Sequence, residues 1–113
     1  MTLRLIAACA LLAAAFPVLA AGSVEAGASK SQVCQACHGK DGNGVGDGQY
    51  PRLAGQYADY LAKSLRDYRT GAREDPIMRG FASTLTDADI EDLSAFYAAQ
   101  KGPLRDLYGV DRD

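Results

Sequence analysis

Two thiols and an imidazole stand together in this 113-residue chain, as Cys34-Gln35-Ala36-Cys37-His38. On a helix, thiols three positions apart share one turn and can add across the two vinyl groups at one edge of a porphyrin. The next residue then swings its imidazole under the iron. This is the spacing of a c-type haem attachment site, with Cys34 and Cys37 holding one haem c through two thioethers and His38 ligating the metal. Three other chemistries could use the same side chains. A thioredoxin-like dithiol needs a βαβ context that the chain does not show, and a zinc site would have to recruit carboxylates. A disulfide across two intervening residues would be strained and would constrain little chain.

The composition, 48% hydrophobic and 23% charged, fits one small domain and excludes both a disordered chain and a polytopic membrane protein. Residues 1–20 read differently from the rest. Arg4 precedes an uncharged apolar run from Leu5 to Phe16, then Pro17 and the small-residue end at Ala20, which is the build of a secretory signal peptide cleaved near Ala20. A retained anchor is the rival, but the run falls short of the ~20 apolar residues of a spanning helix and ends in proline. Ile6-Ala7-Ala8-Cys9 resembles a lipoprotein cleavage box only superficially, because almost no apolar segment precedes the cut. Cleavage removes Cys9 and Arg4 and leaves 93 residues, with 11 basic against 14 acidic side chains and a formal charge of −3. Such a charge makes nucleic acid an unsuitable partner. The expected location is the periplasm, with no stable membrane insertion after cleavage. A domain of this size buries only about 60–65% of its unfolded surface, so a staple or prosthetic group is expected.

The mature chain has one histidine, His38, and one methionine, Met78, because the other methionine is Met1. Bis-histidine ligation is therefore impossible within it. Met78 lies in Asp75-Pro76-Ile77-Met78-Arg79-Gly80, expected to be a loop reaching the far side of the haem. Two alternatives stay open: Met78 could fill a core gap while iron is five-coordinate, or iron could take a lysine. His/Met ligation would raise the reduction potential and close both axial positions, leaving outer-sphere electron transfer as the natural chemistry.

Elements must position these groups. Ser23 can cap a first helix running from about Val24 to Cys37, into the attachment motif. Five glycines between Gly39 and Gly48 mark a loop. It lacks the flanking strand and Lys-Ser/Thr ending of a phosphate cradle, and Arg52 stands where a calcium loop has its closing Glu, which leaves tight backbone approach to a bulky group. Gln56 to Thr70 carries Tyr57, Tyr60, Leu61, Leu65 and Tyr68 at helical spacing, with Gly71 as its stop. Lys63, Arg66, Arg69 and Arg73 share the opposite arc and read as a solvated face, with a docking patch as the other possibility. Thr86 caps a last helix, acidic at its start and with Ile90, Leu93, Phe96 and Tyr97 as its buried stripe, ending at Lys101-Gly102-Pro103. No strand pattern appears, so the fold class is all-α with long loops, about three to five helices around one haem.

The chain resembles the class I c-type cytochromes, in particular bacterial monohaem cytochromes of the c-553 type and the single halves of the dihaem respiratory cytochromes. The resemblance lies in Glu25-Ala26-Gly27, Cys34 to Gly39, Asp41-Gly42-Asn43-Gly44, Pro51 to Gln56, Gly71-Ala72-Arg73, Ile77 to Gly80, and Leu85 to Ile90 running into Phe96-Tyr97. It implies that Pro51 offers its carbonyl to the His38 Nδ1–H, that Leu53 packs on the haem, and that Arg52 lies near the propionates. It also implies that Gly27 lets the first helix cross the last closely, near Phe96. The expected domains are a signal at 1–20, a cytochrome domain at 21–102 and a tail at 103–113 of unassigned role, which departs from the family pattern.

The expected function is electron transfer, not enzymatic catalysis: a monomer shuttling electrons by transient docking between a redox-protein donor and acceptor. A second reading is a permanently docked haem subunit through which electrons pass into a periplasmic oxidoreductase complex. A third is a five-coordinate haem c gas sensor.

Overall fold

The computed structural model describes residues 21–104. The signal expected at 1–20, and all but the first two residues of the tail expected at 103–113, lie outside the described residues. Five helices follow one another: α1 (Val24–Lys30), α2 (Gln32–His38), α3 (Ala58–Thr70), α4 (Pro76–Ala82) and α5 (Asp87–Ala98). No strand occurs among the described residues, in line with the all-α expectation.

Ser23 caps α1 as expected, its hydroxyl accepting from the Ala26 N–H. The single first helix divides at Ser31. The Ser31 hydroxyl donates to the Ala28 carbonyl at 2.8 Å and accepts from Gln35 Nε2 at 3.1 Å, while the Cys34 N–H bonds only three residues back, to the Ser31 carbonyl. A buried serine bonding both backwards and forwards tightens the turn here and marks the break between α1 and α2.

Between Gln56 and Thr70 the helix begins two residues later than the pattern indicated and stops at Gly71. The Asp75–Gly80 segment is not a loop. Asp75 accepts from the Met78 N–H at 2.9 Å and Pro76 occupies the first turn, which makes α4 a capped helix with Met78 on it. In α5 the Thr86 hydroxyl accepts from the Asp89 N–H while the Asp89 carboxylate accepts from the Thr86 N–H, a reciprocal capping box. That helix ends at Ala98, three residues before Lys101.

α1 crosses α5 with Gly27 buried at the contact. A Cβ there would overlap the Asp92 carbonyl oxygen and sit 2.6 Å from the Phe96 Cβ, so only glycine permits this approach, as the sequence implied. Lys30 then fastens the pair through Asp89 at 2.8 Å and Asp92 at 2.6 Å, and the Ser23 N–H donates to Asp92 at 2.7 Å. Two of the four cations on the α3 arc depart from the solvated-face expectation. Arg66 pairs with Glu91 and Arg69 with Asp87 at 2.6 Å, both across to α5, while Lys63 pairs with Asp67 along its own helix. Asp87 and Glu91 thus anchor α3 to α5, while Lys63 and Arg73 on the same arc stay exposed. The buried apolar set is small: Ala54, Leu61, Ala62, Ala82, Ile90, Leu93 and Tyr97.

Gly27→Ala should lower unfolding stability by about 3 kcal/mol, the upper part of the range for overpacked sites, measured by denaturant titration. The Lys30 ammonium beside Asp89, together with Thr86, holds that carboxyl down to about 2. A lowered folded pKa means the unfolded chain takes up protons first as pH falls. This contribution is therefore complete above the ordinary carboxylate range and is lost between about pH 4 and pH 2. Lys30→Met should flatten the loss of denaturation midpoint over that window.

Candidate functional site

α2 sets Cys34 and Cys37 on one turn and ends on His38, which is buried. The His38 Nδ1 lies 2.9 Å from the Pro51 carbonyl oxygen. A carbonyl only accepts, so Nδ1 carries the proton and Nε2 is left with its lone pair, which is the tautomer a metal needs. Tyr50 presses edge-on to the imidazole with ring centroids 6.3 Å apart. The loop that brings Pro51 here turns at Gly42, whose carbonyl accepts from the Leu53 and Ala54 N–H groups at 2.7 and 3.1 Å. Gly42 has φ +81°, and a Cβ on it would lie 2.7 Å from Cδ1 of Tyr97. The bulky group approached by this loop is thus the Tyr97 ring. Gly44, Gly46 and Gly48 further along have open space where a Cβ would point.

These elements enclose a cavity of about 680 Å³. Its lining brings together all seven residues singled out from the sequence: Cys34, Cys37, His38, Pro51, Arg52, Leu53 and Met78. Cys34 and Cys37 are free thiols, not a disulfide. Burial pushes the Cys34 thiol up. Among the described residues no group of three His, Cys, Asp or Glu side chains is placed to hold a metal ion, which disfavours the zinc alternative.

The cavity suits a large, flat, mainly apolar group. Val33, Tyr60, Ile77 and Phe81 line it and are 48–60% exposed, so the protein's own packing does not cover them. Ser94 Oγ and Tyr97 OH are buried in the same lining without a hydrogen-bond partner. The donor set, two thiols, one imidazole with a free Nε2 and one thioether, fits an iron porphyrin attached through the thiols.

Several lining residues were not recognised from the sequence. Tyr60, Leu65 and Tyr68 on α3 read as part of a core stripe and Ser64 carries no signal, whereas only Leu61 and Ala62 of that helix are buried. Arg73 folds back over the Tyr68 ring, 4.7 Å from its centroid, into the cavity wall and away from the basic arc. Tyr50 carries no signal beyond its neighbour Pro51.

A helical shell around a cavity that pairs thiols with an imidazole defines a haem protein of the covalently attached class. The sequence profile described as cytochrome c matches residues 24–100, and the chain belongs to that family. It is 44% identical over 82 residues to cytochrome c4 of Pseudomonas aeruginosa, a match covering 73% of this chain and 40% of that protein. It is 43% identical over 84 residues to cytochrome c-554(548) of Halomonas halodenitrificans, covering 72% of this chain and 100% of that one. The structure of reduced recombinant cytochrome c4 from Pseudomonas stutzeri superposes with a TM-score of 0.68 at 41% identity, covering 74% of this chain and 48% of that chain. The chain thus spans less than half the length of the cytochrome c4 proteins it matches. Haem c, covalently bound, is the cofactor of this family and of this chain.

Cys34→Ala and Cys37→Ala should each retain a pigment held by a single thioether, with the alkaline pyridine haemochrome band moved to longer wavelength. The double variant should release its pigment into acidified acetone.

Proposed function

We propose that this chain is an exported monohaem electron-transfer protein in which His38 and Met78 are the axial ligands of a haem c bound through Cys34 and Cys37. The carrying observation is the shared cavity: Met78 on α4 and His38 on α2, forty residues apart in sequence, line the same space. When bound, haem c supplies a one-electron ferric/ferrous couple. The residues around it bind and orient it. Pro51 fixes the His38 tautomer and raises the basicity of Nε2, and Asp75 secures the first turn of α4, and with it Met78, through the Met78 N–H. A soft thioether favours ferrous iron and, with both axial positions taken, the site moves electrons in preference to activating oxygen.

The domain is proposed to span residues 21–102, following a cleaved signal at 1–20, and to work in the periplasm as a monomer. No helix among the described residues is long and apolar enough to cross a membrane. Its partners are proposed to be a redox-protein donor and acceptor that dock transiently. Leu53 is proposed to pack on the ring, and Arg52, exposed at the cavity wall, to meet a propionate.

Met78→Ala in the covalently loaded protein tests the reading. It should abolish the weak sulfur-to-iron band of the oxidised form and lower the potential by on the order of 0.1–0.2 V, within the ~0.8 V range that axial ligands span. It should also open the ferrous form to carbon monoxide at neutral pH. A wild-type protein that already binds carbon monoxide at neutral pH, with a spectrum unchanged by Met78→Ala, would refute the sixth ligand and favour a five-coordinate sensor.

A further inference from the structure

Tyr97 is 3% exposed, and its hydroxyl has no hydrogen-bond partner although the ring is tightly held. Phe96 meets it edge-on with centroids 5.0 Å apart, Gly42 lies against its Cδ1 side, and its own carbonyl accepts from the Gly55 N–H at 3.0 Å. A rigid ring with an orphaned donor inside a haem cavity is costly unless the bound state supplies an acceptor, because the hydroxyl gives up its water without replacing it.

Cys34 and Ser31 are the side chains near enough to share a hydrogen bond with this hydroxyl, although neither meets it at good geometry while Cys34 is a thiol. Ser31 spends its hydrogen on Ala28 and one lone pair on Gln35, so toward Tyr97 it offers a single remaining lone pair, and a hydroxyl turned to Ser31 would leave the potential unmoved by its loss. Cys34 changes character when the cofactor is attached. Its S–H adds across a vinyl group, the new C–S bond forms, the thiol hydrogen passes to the other vinyl carbon, and the double bond becomes single. The sulfur thereby loses its only donor and keeps two lone pairs. Burial pushes the phenol up, so Tyr97 keeps its proton throughout the neutral range.

We infer that Tyr97 is a potential-setting positioning residue: its hydroxyl donates a hydrogen bond to the thioether sulfur of Cys34 and biases the attached haem toward the reduced state. This rests on the haem c reading above. The positive end of the O–H dipole points at the porphyrin periphery, where the electron added on reduction is partly delocalised. Because the site is buried, water does not screen the dipole.

Tyr97→Phe removes one oxygen and keeps the ring. In the covalently loaded protein it should shift the one-electron equilibrium about tenfold toward the oxidised form, equivalent to 59 mV for a one-electron couple. Thioether content and the sulfur-to-iron band should be unaltered. An unchanged midpoint in a variant with intact colour and thioethers overturns the inference. Should the variant fail to mature, the reduced wild-type protein, which is diamagnetic, decides it. The Tyr97 hydroxyl proton should then give a slowly exchanging NMR signal with an Overhauser contact to the Cys34 β protons, and the lack of that contact overturns the inference. Wild-type protein without covalent haem would instead refute the cofactor reading itself, and the inference with it.

Discussion

The approach of α1 to α5 at Gly27 is the constraint on which the other positions depend. At Gly27 no side chain of α1 acts as a spacer, so its main chain lies directly against the Asp92 carbonyl and the Phe96 Cβ of α5. From that fixed point Ser31 turns the chain into α2, which carries both thiols and His38. On the other side of the crossing, α5 delivers Ser94 and Tyr97 to the cavity and Asp87, Glu91 and Asp92 to their cationic partners. A change in the crossing would move the attachment motif, the Tyr97 ring and the anchor of α3 together.

Around this frame the protein is built to leave its centre to another molecule. Its buried apolar set is short and rich in alanine, and larger side chains such as Leu53, Leu65 and Phe81 are turned to the cavity instead. This is a workable solution for a small domain with little interior, since one large rigid group supplies contact area that many side chains would otherwise have to provide, without loss of side-chain entropy. Polar groups at the wall serve orientation: the Pro51 carbonyl aims the imidazole, and Asp75 secures the turn that carries Met78.

Charge follows the same economy. Asp87 and Asp89 in the first turn of α5 complement its dipole and, with Glu91 and Asp92 in the next turn, bind Lys30, Arg66 and Arg69, so one cluster fixes α1 and α3 against α5. A helical wheel for α3 alone placed those arginines on the outside, because periodicity distinguishes apolar from polar faces but does not say which polar face meets a neighbour. The Met78 segment is helical rather than a loop for a related reason. Seven residues are too few to show a period, and the local signal is confined to Asp75-Pro76, a cap followed by proline at the first helical position.

Local chemistry determined what the sequence by itself could specify. The spacing of Cys34, Cys37 and His38, the caps at Ser23 and Thr86 and the stop at Gly71 are each decided within a few residues, and all appear in the structure where the chain indicates. The meeting of Met78 with His38 in one cavity, the division of the α3 stripe between core and cavity, the ion pairs from α3 to α5 and the orphaned hydroxyl of Tyr97 were decided only by tertiary structure. Each depends on the angle and distance between elements far apart in sequence, as at Gly27 against α5 and Gly42 against the Tyr97 ring, where the close approach needs a residue without a side chain.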